Sequence, residues 1–130
     1  MNYSLNFSIS ELVHSDTANK FRINNTPNMY ALNNMLNLIF YVLQPLRNKL
    51  GKPIIITSGY RCPQLNQAVG GVKNSQHLEG KAVDIVVNGM TISALITFIA
   101  HSGIEFDQLI NEKNWVHISF NKNHNRHQVL

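Results

Sequence analysis

Cysteine is nearly absent from this sequence, which has one, Cys62, among 130 residues. A single cysteine excludes an internal disulfide framework. Cys62 could act as a nucleophile, but its position directly before Pro63 favours a structural thiol at the start of a helix.

Long apolar runs are also missing. The longest run, around residues 36–43, is interrupted by Asn37 and ends at Gln44 and Pro45, so we expect no membrane-spanning helix. The N-terminal stretch MNYSLNFSISEL lacks the basic start, apolar stretch and small-residue cleavage site of a signal peptide. We therefore expect synthesis in the cytoplasm, with action outside the cell only after release or export.

Acidic residues are few: 7 Asp and Glu stand against 11 Lys and Arg, which gives a formal net charge of +4 at pH 7. Much of this excess lies in the polar tail, 121–130. A basic protein favours anionic partners such as nucleic acid or an acidic cell-wall polymer. No basic stripe interleaved with aromatic residues is found, so we expect no nucleic-acid partner.

What the sequence does contain is a pattern of apolar residues that predicts one α+β domain over 1–120, followed by a frayed tail over 121–130. The expected helices are a short one after the capping box of Ser8 and Glu11, a long one from Met29 to about Leu50, and two more over 62–69 and 92–102. Gly51 would end the long helix and Pro45 would kink it. The expected strands, which are short and rich in β-branched residues, cover 53–58, 81–87, 106–111 and 115–120.

A candidate metal site begins with His77 and Asp84, seven residues apart in SQHLEGKAVDI. Asp84 alternates with Val83 and Ile85 in a predicted buried strand, where an unpaired carboxylate would cost several kcal/mol. A divalent cation would remove that cost. The alternative is an ordinary surface turn followed by a strand.

His117 is the candidate for a third ligand. Catalytic zinc usually takes three protein ligands and keeps one position for water. In the strand WVHISF, His117 shares a face with Trp115 and Ser119, opposite the apolar face, and would point toward a cleft. The remaining histidines are expected to be ordinary surface or tail residues: His14, His101, His124 and His127.

Four segments resemble a known family: TSGYRCPQLNQAVGG, SQHLEGKAVDI, DQLI and WVHISF, in that order. They are similar to the zinc peptidoglycan peptidases of the D-Ala-D-Ala carboxypeptidase and L-alanyl-D-glutamate endopeptidase type, whose fold is shared with the hedgehog signalling domain. The resemblance extends from about residue 7 to about residue 120. It implies a small, mostly antiparallel sheet with helices packed on it.

The resemblance also implies roles for particular residues. It places zinc on His77, Asp84 and His117. Arg61 would clamp a substrate carboxylate or stabilise a developing oxyanion, and its alternative is a structural ion pair. Ser75 and Gln76 would hydrogen-bond substrate or orient the first histidine ligand.

The general base departs from the family pattern. Many members carry Asp or Glu three residues before the last zinc histidine, where this chain has Asn114. An amide cannot accept the proton, so Glu112 is the candidate base, with an exposed turn residue as its alternative. Asp107 is a weaker candidate that would instead orient a zinc histidine.

The resulting hypothesis is a monomeric zinc metallopeptidase that hydrolyses a peptide bond in peptidoglycan stem peptides. A phage or prophage lysis product is one candidate origin, and a bacterial protein is the other. One alternative is a cell-wall binding module that keeps zinc for folding while catalysis has lapsed, as Asn114 would allow. Another is a non-haem iron oxygenase, which two histidines and one carboxylate would also suit. That alternative is disfavoured because such enzymes commonly use a many-stranded barrel and a tighter ligand spacing.

Overall fold

The computed structural model describes residues 6–130, and residues 1–5, where the expected domain begins, lie outside the described part. The architecture is α+β, as predicted, with helices packed on a five-stranded sheet of order β1-β2-β4-β3-β5. The strands are β1 (Ile55–Ser58), β2 (Ala82–Val86), β3 (Gln108–Asn111), β4 (Val116–Ser119) and β5 (Gln128–Val129). The α-helices are α1 (Ile9–Val13), α2 (Asp16–Phe21), α3 (Met29–Leu38), α4 (Gln44–Leu50), α5 (Pro63–Ala68) and α6 (Ile92–Ala100).

The sheet is mostly antiparallel. β2 pairs with β1 on one side and β4 on the other, and β3 and β4 form an antiparallel hairpin. Only the pairing of β3 with β5 is parallel among the described strands. β2 and β4 therefore lie side by side within the sheet, and Asp84 on β2 is directly opposite His117 on β4.

The predicted long helix extends from Met29 to Leu50, but it is not regular. A π-helical turn, Ile39–Leu43, separates α3 from α4, and the backbone N–H of Gln44 donates to the carbonyl of Ile39. The turn ends two residues before Pro45, whose ring has no N–H and would clash with the carbonyl four residues earlier in a regular helix. The predicted disturbance at Pro45 is thus a π-helical turn.

Capping residues set the ends of several helices, and three of them were predicted from the sequence: Ser8, Gly51 and Cys62. Ser8 accepts from the backbone N–H of Glu11 at the start of α1, and Thr91 accepts from Ala94 at the start of α6. Gly51 ends α4 in the left-handed conformation, with φ of 66°. Cys62 caps α5, with its Sγ 3.4 Å from the backbone nitrogen of Leu65, which agrees with a structural thiol.

The core lies between the helices and one face of the sheet. The residues of β2 and β4 that face it are fully buried and apolar: Val83, Ile85, Val116 and Ile118. They pack with buried residues of the long helix and α6, among them Met35, Leu38, Leu46, Leu95 and Ile99. Because side chains alternate along a strand, Asp84 and His117 are on the opposite face, away from this core. Within residues 6–130, no helix is both long enough and apolar enough to cross a membrane.

The expectation of a frayed tail is wrong. β5 extends the sheet through parallel hydrogen bonds to β3, and the His127 ring stacks on Phe106 with ring centroids 4.1 Å apart. Arg126 forms an ion pair with the buried Asp107. The polar composition of the tail misled the prediction because the tail is held by backbone hydrogen bonds to the edge of β3, which do not depend on apolar side chains. His14, His101 and His124 are exposed, as expected.

Candidate metal centre and active-site cleft

His77 is positioned by a 3₁₀ turn, Gln76–Glu79, that leads into β2. The Ser75 hydroxyl caps this turn by accepting from the backbone N–H of His77 at 3.1 Å. Gly80 ends it with φ of 73°, and an added Cβ there would collide with the carbonyl oxygen of Ala31. The tight turn buries the imidazole, which is only 2% exposed.

The orientation of the His77 ring is fixed by the backbone. Its Nδ1 lies 2.7 Å from the carbonyl oxygen of Gly59, just beyond β1. Since a carbonyl only accepts, Nδ1 must carry the proton of this hydrogen bond. Nε2 is therefore the atom that His77 presents to Asp84, at 3.2 Å from Oδ1.

His117 approaches the same oxygen of Asp84 from the neighbouring strand. Its Nδ1 lies 3.2 Å from Asp84 Oδ1, and the two imidazole ring centroids are 5.1 Å apart. The possible ligand atoms of His77, Asp84 and His117 all lie within 4.8 Å of one another. The structure thus brings the three residues singled out in the sequence into one His-Asp-His group.

The charges of this group fit a cation. Burial raises the pKa of Asp84, but hydrogen bonds from His117 and His77 outweigh it and lower the pKa to about 2. A neutral His77 protonated on Nδ1 directs the lone pair of Nε2 at a carboxylate oxygen, and two lone pairs at this distance repel. A proton on Nε2 or a metal ion between the two atoms removes that repulsion.

The spacing of the donors also fits zinc. In a tetrahedral site with ligand bonds of about 2.0–2.2 Å, donor atoms lie about 3.4 Å apart. The two histidine nitrogens each lie 3.2 Å from Asp84 Oδ1. Two imidazole nitrogens and one carboxylate oxygen form a donor set that zinc accepts in catalytic sites.

Arg61 lies in the same cleft as the His-Asp-His group. Its backbone N–H donates to the carbonyl of His77, which ties it to the 3₁₀ turn. Burial lowers the pKa of the guanidinium, and the nearby charge of Asp84 partly offsets that shift. Arg61 Nε is buried and has no hydrogen-bond partner within residues 6–130. The guanidinium charge of Arg61 is therefore held near the candidate metal centre, and its Nε–H is a donor without a partner among the described residues.

The cleft has a volume of about 520 Å³. Its lining includes the His-Asp-His group and Arg61. The other predicted site residues, which are Ser75, Gln76 and Glu112, also line it, as does Trp115 of the β3–β4 hairpin. Glu112 is exposed and lies at the turn of the hairpin, where its backbone N–H donates to the carbonyl of Trp115. Asn114 is not among the lining residues.

Asp107 does not have the role considered for it. Its carboxylate binds Arg126 and Gln76, and it does not line the cleft. The expectation that Asp107 orients a zinc histidine is wrong, because within residues 6–130 its carboxylate hydrogen-bonds Arg126 and Gln76 and neither His77 nor His117. No residue type in the sequence indicated Gly59 as an orienting group, since Gly59 acts through its backbone carbonyl.

Comparison with known proteins identifies the family. The model of the peptidase M15 family matches residues 5–119. The chain belongs to the peptidase M15 family. A zinc D-Ala-D-Ala carboxypeptidase of Streptomyces albus G is 39% identical over 54 residues, which make up 41% of this chain and 21% of that protein. The matched stretch thus spans about a fifth of the relative. Family membership supports a hydrolase that acts on peptides.

Proposed function

We propose that this M15 family member is a zinc metallopeptidase that hydrolyses a peptide bond in the stem peptides of bacterial peptidoglycan. The observation that carries the proposal is the His-Asp-His group, whose donor atoms converge inside a cleft that also holds a half-buried arginine, Arg61. The peptidoglycan substrate is drawn from the name of the Streptomyces relative and from the sequence motifs.

Nε2 of His77, Oδ1 of Asp84 and Nδ1 of His117 would hold the ion. When bound, zinc lowers the pKa of a water ligand to about 7 and polarises a carbonyl group. The protein prepares these ligands in advance, because Gly59 fixes the His77 tautomer and the β2–β4 pairing sets Asp84 against His117.

Arg61 would bind negative charge on the substrate. Its planar guanidinium can donate two parallel hydrogen bonds to a carboxylate or one to the oxygen that gains charge during hydrolysis. Nε of Arg61 has no hydrogen-bond partner among residues 6–130, and the side chain is half-buried. Both features suit that role, because hydrogen bonds strengthen where water is excluded.

Glu112 would be the general base. It would accept the proton of the attacking water and return it to the leaving amine. Glu112 lines the cleft, whereas Asn114, at the position usual for the acid, does not.

The test is incubation of the zinc-loaded protein with purified peptidoglycan, followed by mass spectrometry of the released fragments. We expect fragments whose masses differ from the intact stem peptides by cleavage of one peptide bond, and the masses identify that bond. The zinc-free protein and His77→Ala serve as controls. Intact peptidoglycan after incubation with fully zinc-loaded protein would contradict the proposal.

A second candidate function is a cell-wall binding module with a structural zinc site. Asn114 favours it, because the usual base position carries an amide that cannot accept a proton. In the same experiment, such a module would sediment with insoluble peptidoglycan and release no fragments.

A further inference from the structure

The C-terminal segment, residues 126–130, is attached to the strand that lies beside the cleft. The backbone N–H of His127 donates to the carbonyl of Phe106, and Gln128 and Leu130 donate to Asp107 and Leu109. These hydrogen bonds place Arg126 against Asp107.

Asp107 is the centre of a closed hydrogen-bond network. Its Oδ1 accepts from the backbone N–H and from Nε of Arg126, each at 2.9 Å. Its Oδ2 accepts from Nη2 of Arg126 and from Nε2 of Gln76, each at 2.8 Å. The Asp107 side chain is only 4% exposed, whereas that of Arg126 is 45% exposed. Both carboxylate oxygens are therefore fully used, and their positions are set by the guanidinium fork.

Gln76 connects this network to the cleft. It directly precedes the candidate ligand His77 and lines the cleft. Because Nε2 donates to Asp107, the amide cannot rotate without losing that hydrogen bond, so the position of Oε1 is also fixed. Oε1 is buried and has no hydrogen-bond partner among residues 6–130. A buried acceptor without a donor destabilises a folded protein.

We propose that Arg126 is a positioning residue that acts through Asp107 and Gln76. Arg126 holds the Asp107 carboxylate, Asp107 holds the Gln76 amide, and Gln76 offers Oε1 as an acceptor to a backbone N–H of the peptide substrate. This role rests on the proposed peptidase function. A peptide supplies both carbonyl oxygens and N–H groups; Arg61 can bind only the former, and the Gln76 oxygen can bind only the latter.

A purely structural role for Arg126 must be separated from this one, because removing its guanidinium leaves Asp107 buried with fewer partners and lowers stability. A double-mutant cycle makes the separation. The variants are Arg126→Ala, Gln76→Ala and the double variant, each folded, zinc-loaded and assayed on a soluble stem peptide. Arg126→Lys keeps the charge without the fork and replaces Arg126→Ala if the latter does not fold. Lys122→Ala, an exposed change in the same tail, is the control.

We expect Arg126→Ala to lower kcat/KM about tenfold or more, in the range typical for residues that support a site indirectly. The loss should appear mainly in KM, since the hydrogen bond is made with bound substrate as well as in the transition state. In the Gln76→Ala background, Arg126→Ala should change kcat/KM by less than about twofold. An equal loss in both backgrounds, or no loss in either, would overturn the proposal.

A second measurement does not require activity. The side-chain amide of Gln76 gives a nitrogen-proton NMR signal that reports its hydrogen bond to Asp107. Arg126→Ala should shift this signal and Lys122→Ala should leave it in place. If the wild-type protein cleaves no peptide, the peptidase proposal fails while this signal still tests the positioning network. An unchanged Gln76 signal in Arg126→Ala would refute the network whatever the activity.

Discussion

The carbonyl oxygen of Gly59 accepts a hydrogen bond from Nδ1 of His77 across 2.7 Å, and this contact joins the end of β1 to the turn that precedes β2. It leaves Nε2 of the same ring facing Asp84. A backbone group, which no side-chain substitution can remove, thus selects the nitrogen that is available to a metal ion.

Removal of His77 should empty the metal site. His77→Ala deletes one of three donors, so we expect the purified variant to hold far less than one zinc per chain after dialysis, against about one for the wild type. Metal content measured by atomic emission on both proteins checks this. His124→Ala removes an exposed histidine and should retain the wild-type content. Equal zinc in His77→Ala and wild type would remove His77 from the site.

Arg61→Lys should impair catalysis although it preserves the charge. Lysine lacks the planar fork and the Nε donor, so we expect kcat/KM to fall about tenfold or more, with zinc content unchanged. Steady-state kinetics on a stem peptide measures the loss. Arg47→Lys, the same change on α4 away from the cleft, should be neutral. Full activity of Arg61→Lys would show that the arginine does not bind the reacting groups.

Glu112→Gln should lower the rate about 100-fold or more, the range typical for loss of a general base, while zinc and fold are retained. Glutamine has nearly the same shape but cannot accept the proton. The assay compares Glu112→Gln with Asn114→Asp on one substrate, with zinc content checked in each. A strong gain from Asn114→Asp together with no effect of Glu112→Gln would refute Glu112 and favour the binding module.

Gly59→Ala should weaken both the fold and the metal site. An added Cβ would collide with the backbone carbonyl oxygen of Leu12, which cannot turn aside because it accepts from the N–H of Tyr60. We expect a loss of more than about 2 kcal/mol in the free energy of unfolding, as for other strained core changes, and weaker zinc binding because the carbonyl that orients His77 is displaced.

Gly51→Ala is the matched control for Gly59→Ala. Gly51 has a positive φ but nothing within 4 Å of an added Cβ, so its cost should be only about 1 kcal/mol, with zinc affinity unchanged. Denaturant unfolding and zinc titration of both variants separate the two effects. Equal zinc affinity in Gly59→Ala and Gly51→Ala would contradict the orienting role of the Gly59 carbonyl.

Acid should destabilise the zinc-free protein in part through Asp107. The hydrogen bond from the Arg126 side chain holds the pKa of Asp107 well below its usual value. A depressed folded-state pKa favours folding of the ionised form, so this stabilisation is complete above about pH 4 and is lost as the pH falls below it. Unfolding of wild type and Asp107→Asn between pH 2 and about pH 6 should show a smaller dependence on pH in the variant. Parallel curves would contradict the shift.

Local periodicity was enough to predict which side chains of β2 and β4 leave the core. Alternation along a strand sets the faces of Asp84 and His117, and neither depends on distant parts of the chain. That Asp84 and His117 share one site was implied by the family resemblance instead, and the strand pairing that places them opposite each other was not predicted. Pro45 likewise indicated an irregular helix but not its form, a π-helical turn.

The parts of the site that the sequence did not reveal are contacts between distant segments. Gly59 acts on His77 through a carbonyl that every residue possesses, so no residue type marks it. Arg126 lies in a segment whose polar composition is typical of a disordered tail, and its partner Asp107 is 19 residues away. Only the hydrogen bonds of β5 to β3 bring them together.

Asp84 and His117 face each other across β2 and β4, so binding of one ion by both side chains would depend on the correct alignment of these strands. If β4 slipped by one residue along β2, Val116 or Ile118 would stand opposite Asp84, and His117 would no longer share its face. An ion held by both side chains stabilises only the sheet in which residue 84 faces residue 117. Metal uptake during refolding would therefore select chains with correctly aligned strands over misaligned ones.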